Sequence, residues 1–335
     1  MTAAARAVIF GCAGQRLTAD EKRFFADMQP WGAILFARNI DTPDQLRALT
    51  DDWRQCLGRD VPILIDQEGG RVQRMGPPHW RDWMPALAQS AKARDPARAM
   101  YLRGRLVGHD LRAVGIDVNC APLADIARPD TTEILRNRCY GHGVTEVAAN
   151  ARAMAEGLRD GGVLPVLKHM PGHGRAVLDS HVALPVVSEC AETLQSQDFA
   201  AFKALADLPL AMSAHIVFTA FDAQRPATIS ARMIGLIREE IGFDGALMTD
   251  DLSMQALSGS LAARAQAALG AGCDLVLHCN GVLAEMQQVA AACPTLAGPG
   301  LARCARALAA RVAPDTADIG ALEAEYGDLL TGVGA

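Results

Sequence analysis

Three short segments of this 335-residue chain carry the residue types that hydrolysis of a polar substrate needs. The first is Ile65-Asp66-Gln67-Glu68-Gly69-Gly70-Arg71-Val72-Gln73-Arg74. A carboxylate at the end of an apolar run, followed by two glycines, suits acceptance from ligand hydroxyls, and Arg74 adds a donor. A tight turn with a surface salt bridge fits the same residues equally well. The second segment is Lys168-His169-Met170-Pro171-Gly172-His173-Gly174, directly after Val-Leu-Pro-Val-Leu. Pro-Gly and the later Gly mark a loop, so Lys168 and His169 are expected at a strand end and His173 beyond a turn, with its ring bonded to backbone. The loop continues to Asp179-Ser180-His181. An Asp two residues before a His orients an imidazole and favours its protonated form, which makes His181 a general acid/base candidate. The plain alternative is an exposed ion pair of little consequence. The third segment is Thr249-Asp250-Asp251-Leu252-Ser253-Met254. Adjacent carboxylates after a buried strand suit a nucleophile with a neighbour, or a helix N-cap followed by a first-turn acid. We assign Asp250 to chemistry and Asp251 to structure. His215 either shapes the site or packs against it, and Arg138 is placed to clamp a ligand hydroxyl.

These residues act together only if the fold gathers them. Near-continuous apolar runs at 7–10, 32–36, 61–65, 116–119, 163–167, 210–213, 246–249 and 274–278 alternate with longer helical patterns. Helix starts are marked by the Thr18…Glu21 capping box, by Thr42-Pro43, by Asp95-Pro96 and by Ser230. Eight strands, each followed by a helix, predict an α/β fold: a single (β/α)8 TIM-type barrel with irregular first strands, spanning 1–335 as one catalytic domain. The rival is a doubly wound sheet plus a second domain, but no linker or composition shift marks a boundary. A barrel puts active groups at the C-terminal ends of its strands. Arg38-Asn39, Asp66, Asn119, Lys168-His169, His215, Asp250-Asp251 and Asn280 are therefore expected around one mouth.

Composition narrows the class. Half the residues are hydrophobic and 21% are charged, with a net charge of −6. That excludes intrinsic disorder and, without a basic stripe, argues against nucleic acid as a partner. No apolar run is long enough for a membrane span. Nine cysteines are scattered without a C-x-x-C pair, so neither a zinc knuckle nor a disulfide framework is expected. Free thiols in a reducing cytoplasm are the simplest reading. The apolar run at 7–10 reads as a first buried strand rather than a secretory signal. No metal or cofactor is expected. Only four lysines occur, at 22, 92, 168 and 203, so Lys168 is not background.

In order and spacing, the three segments resemble those of the bacterial β-N-acetylhexosaminidases of glycoside hydrolase family 3. Met170 stands where the family's K-H-F-P-G-H-G signature has Phe, and Thr249 where its S-D-D-L-S-M segment has Ser. Asp179-Ser180-His181 matches its D-S-H loop, and the likeness continues at Ala271-Gly272-Cys273-Asp274 and Cys279-Asn280. The resemblance implies a retaining glycosidase with Asp250 as nucleophile. His181, assisted by Asp179, would be the acid/base in place of the usual carboxylic acid. Asp66, Arg74, Arg138, Lys168 and His169 would bind the N-acetylglucosamine hydroxyls. It further implies a cytoplasmic enzyme of peptidoglycan recycling, and a monomer is the expected state. The substrate would be the saccharide N-acetylglucosaminyl-1,6-anhydro-N-acetylmuramic acid, with or without its peptide (a muropeptide). Three rivals stay open: a metal-dependent barrel hydrolase, a phosphorylase of the same subgroup, and a sugar-binding barrel without activity. The H-x-H pair of the amidohydrolase type is absent after the first strand, where Phe10-Gly11-Cys12-Ala13-Gly14 stands.

Overall fold

Side chains alternate along a strand, so a strand buried on both faces feeds two cores. In strand β1 (Arg6–Phe10), Ala7 and Ile9 join one apolar cluster while Val8 and Phe10 join another. The same division holds for Leu210 and Met212 against Ala211, and for Leu275 and Leu277 against Val276. The first cluster is the barrel interior and the second is the layer between barrel and helices. The computed structural model describes residues 4–178 and 184–331.

The remaining barrel strands are β2 (Pro30–Leu35), β3 (Ile63–Ile65), β4 (Val118–Asn119), β5 (Leu164–Met170), β6 (Leu210–Ser213), β7 (Ala246–Asp251) and β8 (Leu275–His278). All neighbours pair in parallel, and β8 closes on β1 through the register Val8↔Val276. The expected eight-stranded α/β barrel is thus the observed one. Several boundaries differ from expectation. β4 is short because Asp117 spends its carboxylate on the Ile63 amide (2.8 Å), and because Pro122 has no N–H to extend the ladder. β5 and β7 run further than expected, so Lys168, His169, Asp250 and Asp251 lie on strands rather than in the loops after them. The helical stretch expected at 192–205 is broken into Ala191–Thr193, a π-type turn at Leu194–Asp198, and Phe199–Lys203.

Two helices behind the site, Pro96–Arg112 and Val144–Asp160, cross at backbone contact. A Cβ on Gly104 would overlap the Met154 carbonyl, and one on Gly157 the Tyr101 carbonyl, so glycine is required there for close approach. The C-terminal helix Ile319–Thr331 packs on the first of this pair, with Glu325 gripped by Arg98 through two 2.7 Å bonds. All nine cysteines are free thiols. Among the described residues no helix is long and apolar enough to cross a membrane.

Candidate active site

The two-residue period also decides which side chains reach the mouth. Leu64, Val166, Met248 and Leu277 fill the barrel interior. Two residues further along each strand direction stand Asp66, Lys168, Asp250 and Cys279. All four line one cavity of about 250 Å³, floored by Ile34, Met212 and Leu277. Arg74, Arg138 and His169 line it too, so the described site residues expected from sequence meet in one place. Asp179 and His181 lie outside the described residues.

One wall is a chain of alternating charges. Lys168 Nζ, which is buried, lies 2.9 Å from Asp66 Oδ1 and 2.6 Å from Glu68 Oε1. Arg138 grips Glu68 from its other side in a two-bond fork, both bonds 2.8 Å, and Arg74 closes on Asp66 at 3.0 Å. Each carboxylate therefore sits between two cations. Burial opposes charge on both acids, but Lys168 and Arg74 hold Asp66 well below the usual carboxylate range. Against the same burial, Arg138 and Lys168 bring Glu68 down to about 2. Burial likewise pulls Lys168 down, and Asp66 and Glu68 more than reverse it, raising its pKa above the ordinary value. The wall is consequently ionised throughout the neutral range.

Glu68, the hub of this wall, was not among the expected binding residues. Its signal was available in the alternation Asp66-Gln67-Glu68. The acids share one face, while Gln67 turns away to accept the Arg74 and Met75 amides (2.9 and 3.0 Å) and donate to the Met75 carbonyl (2.7 Å). Asn119 reads as a support rather than a ligand group: its side chain exchanges two bonds with the Gln67 backbone, at 2.9 and 3.0 Å. The Gly69-Gly70 turn, at φ +105° and +59°, folds the segment into a hairpin of Gln67–Gly69 with Val72–Gln73.

Behind the hairpin lies Arg103, fully buried. Its guanidinium donates to the Glu68 carbonyl, to the Met84 carbonyl (3.0 Å) and to Gln89 Oε1 (2.6 Å). The same Gln89 oxygen accepts the Tyr326 hydroxyl at 2.7 Å, which links the C-terminal helix to the charged wall. A side chain on Gly69 would occupy the Arg103 guanidinium position.

Asp125 is a second residue that spacing did not single out. It follows Ala121-Pro122-Leu123-Ala124 as a lone acid in an apolar run, and that solitude was its only signal. His169 Nδ1 donates to its Oδ2 at 2.8 Å, and the His173 amide to its Oδ1 at 2.6 Å. His169 thereby keeps Nε2 for the cavity it lines. Burial works against charge on Asp125, but His169 reverses it and leaves the pKa below its usual value. His173 stands edge-on to His169 with ring centres 5.6 Å apart. Burial, then the His169 charge, lower its pKa to about 4.

The opposite wall is built around Asp250. Among the described residues its carboxylate takes one hydrogen bond, from the Asp251 amide to Oδ1 at 2.8 Å, and makes no ion pair. Burial pushes its pKa up, yet His169, His215, the Asp251 amide and Lys168 hold it below the usual value. The two imidazoles contribute more than Lys168. Asp251 has the structural role expected of it, but not as a helix cap, since the next helix starts at Leu261. Its Oδ1 accepts the amides of Ser253 (3.1 Å) and Cys279 (3.2 Å), which ties β7 to β8.

Some expected mouth residues do not join the cavity. Asn39 is buried and bonds to Cys12 and Gly14 carbonyls at 3.1 and 2.8 Å. Asn280 is exposed and donates to Glu285 at 3.0 Å. Phe36 does join it, with the Arg38 and Arg74 guanidiniums 4.9 and 5.4 Å from its ring centre. Among the described residues no group of three or more His, Cys, Asp or Glu side chains gathers as a metal site.

A closed parallel barrel whose mouth holds an ionised carboxylate opposite a polar cradle has the architecture of a barrel hydrolase. Comparison with known proteins sharpens this class. The family model described as glycosyl hydrolase family 3 N terminal domain matches residues 7–301. The chain is 39% identical over 308 residues to a beta-hexosaminidase of Methylococcus capsulatus, covering 90% of this chain and 91% of that one. It is also 39% identical over 281 residues to a beta-hexosaminidase of Alkalilimnicola ehrlichii, covering 82% and 80%. Among solved structures it resembles NagZ from Neisseria gonorrhoeae in complex with N-trifluoroacetyl-D-glucosamine. The TM-score is 0.87 at 28% identity, covering 98% of this chain and 99% of that one. The chain belongs to glycosyl hydrolase family 3, and it is a glycosidase.

Proposed function

We propose that this glycosidase is a β-N-acetylhexosaminidase that releases terminal, non-reducing β-linked N-acetylglucosamine with retention of anomeric configuration. Asp250 attacks the anomeric carbon and forms the covalent glycosyl-enzyme. His181, oriented by Asp179, protonates the leaving oxygen and then takes a proton from the incoming water. Asp66, Arg74, Arg138, Lys168 and His169 hold the sugar hydroxyls. The observation that carries the reading is the Asp250 carboxylate. Among the described residues it accepts one amide bond and makes no ion pair, and it opens into the cavity that the charged wall lines. A cavity of about 250 Å³ is smaller than the ~300–1,000 Å³ of drug-sized sites, which suits one sugar ring. The relatives named as beta-hexosaminidases and the neighbour holding an N-acylated glucosamine support the sugar's identity.

In this reading the whole chain, 1–335, acts as one catalytic domain and as a monomer in the cytoplasm. Its natural substrate is the muropeptide disaccharide N-acetylglucosaminyl-1,6-anhydro-N-acetylmuramic acid of peptidoglycan recycling. The test is to incubate the enzyme with that disaccharide, with and without peptide, and follow the released sugar by NMR. β-N-acetylglucosamine should appear first, and α-anomer or sugar-1-phosphate as first product overturns the mechanism. Asp250→Ala should lower kcat on the nitrophenyl β-N-acetylglucosaminide by about 1,000-fold or more. His181→Ala should be slow on natural leaving groups yet milder on nitrophenol, and equal losses on both would count against an acid role.

A further inference from the structure

The strand end that carries Asp250 is held from behind by a polar chain inside an otherwise apolar layer. Ser213 ends β6, His215 follows it, and Thr228 lies in the short 3-10 turn Ala227–Ile229. All three are buried. Thr228 Oγ1 sits 2.8 Å from Ser213 Oγ, 2.8 Å from His215 Nδ1 and 3.0 Å from the Ala214 carbonyl. His215 Nε2 sits 3.1 Å from the Asp251 carbonyl.

A proton inventory constrains this chain. A carbonyl oxygen only accepts, so His215 Nε2 carries a hydrogen and donates it to Asp251. The Thr228 hydroxyl has one hydrogen and three neighbours. If it donates to Nδ1, the ring is neutral. If it donates instead to the Ala214 carbonyl or to Ser213 Oγ, a lone pair receives His215 Nδ1–H, and the ring is an imidazolium. In both arrangements Thr228 occupies Nδ1 and leaves the ring one orientation, with Nε2–H on the Asp251 carbonyl. Asp251 is then held at its carbonyl by His215 and at its carboxylate by Ser253 and Cys279. Its remaining polar group, the amide, is the one that donates to Asp250 Oδ1.

We propose that Thr228 is a positioning residue of the glycosidase reaction: its hydroxyl locks His215, and through the Asp251 carbonyl and amide it holds the Asp250 carboxylate in its attacking position. The proposal rests on the reading of Asp250 as nucleophile. The titratable groups facing His215 are Asp250 and Asp251 on β7 and His169 on β5. The first two favour the charged ring, while burial and His169 favour the neutral one, so a change at Nδ1 is read out in the titration of Asp250.

Thr228→Val keeps the shape and removes the hydroxyl. It should lower kcat roughly ten- to a hundred-fold, the scale of one buried hydrogen bond lost beside the reacting group. KM should stay near the wild-type value, and the acid limb of the kcat/KM profile should move to higher pH, because the loosened Asp251 amide no longer holds the Asp250 carboxylate down. Thr228→Ser should restore both. The proposal is overturned if Thr228→Val keeps the wild-type kcat and acid limb. It is equally overturned if Thr228→Ser is as damaged as Thr228→Val, or if KM rises in step with the loss while the limb stays in place. Should Thr228→Val not fold, Ser213→Ala carries the test. It removes one donor to Thr228 and should move the limb the same way by less, an unmoved limb overturning the proposal. Asp250→Ala assayed alongside separates the two readings. Turnover retained there overturns the nucleophile assignment, whereas turnover lost there beside a wild-type Thr228→Val overturns only the role of Thr228.

Discussion

The two walls of the cavity handle their carboxylates in opposite ways. On the β3–β5 wall, Asp66 and Glu68 each bind two cations at direct contact. On the β7 wall, Asp250 has a single amide bond among the described residues and only the more distant influence of two imidazoles and Lys168. The first arrangement saturates the acids: their lone pairs face cations that keep charge and geometry constant, as a surface that orients hydroxyls requires. The second leaves an ionised oxygen with unused lone pairs, as a group that must form a bond requires. Binding groups are made rigid by partners, whereas the reacting group is oriented through its backbone and kept free at its oxygen.

Substituting one acid on each wall gives the largest expected effects and tests that contrast directly. Glu68→Gln leaves Lys168 and Arg138 buried against a neutral amide, and breaking such a buried pair costs about 3–5 kcal/mol of stability. Thermal or urea unfolding should show that loss. Asp250→Asn should abolish turnover and leave the melting temperature at or above the wild-type value, since an underpartnered, half-buried charge is removed. If calorimetry ranks the two variants the other way, the walls do not differ as described.

Acid sharpens the same comparison. Glu68 holds fewer protons folded than unfolded, because its pKa falls from 4.5 to about 2. Stability from it is complete above its unfolded pKa and disappears as pH falls from 4.5 toward 2. His173, lowered from 6.5 to about 4, is held neutral in the fold while the unfolded chain takes up a proton. It therefore also costs stability as pH falls, in the window from 6.5 to 4. Each fully titrating group contributes a slope of about 1.4 kcal/mol per pH unit. Urea midpoints measured against pH should decline across both windows, and Glu68→Gln should lessen the decline in the lower one alone. A decline below pH 4.5 that persists undiminished in Glu68→Gln would place the acid sensitivity elsewhere.

Much of this architecture was legible in the chain. Eight apolar runs predicted the closed barrel, and the residues that end or follow them predicted Asp66, Lys168, His169 and Asp250 at one mouth. What escaped was of one kind. Glu68, Asp125, Arg103 and Thr228 act by holding another side chain or a backbone group, and their partners lie far away in sequence. Arg103 reads as one more arginine of a polar helix, and only the fold shows its guanidinium on the Glu68 carbonyl. Strand ends were misplaced for a related reason: β5 and β7 continue through charged residues, because those side chains find partners in the mouth instead of water. Polarity alone marks such residues as loop.

The smallest effect enters through the rear of the charged wall. Tyr326→Phe removes the 2.7 Å bond to Gln89 Oε1 and leaves the ring against Trp83, 5.4 Å centre to centre. Gln89 still accepts from Arg103, so no buried charge is stranded, and the expected loss is about 0.5–1.5 kcal/mol of stability. The disturbance reaches Glu68 through Arg103 and touches nothing on the Asp250 side. It should therefore raise KM, by under about tenfold, and leave kcat at the wild-type value. Thr228→Val has the reverse signature, a lower kcat at constant KM. Steady-state kinetics on both variants decides whether the walls are separable: a Tyr326→Phe enzyme that loses kcat at constant KM would show that the C-terminal helix reaches the nucleophile as well, and that the two walls move as one.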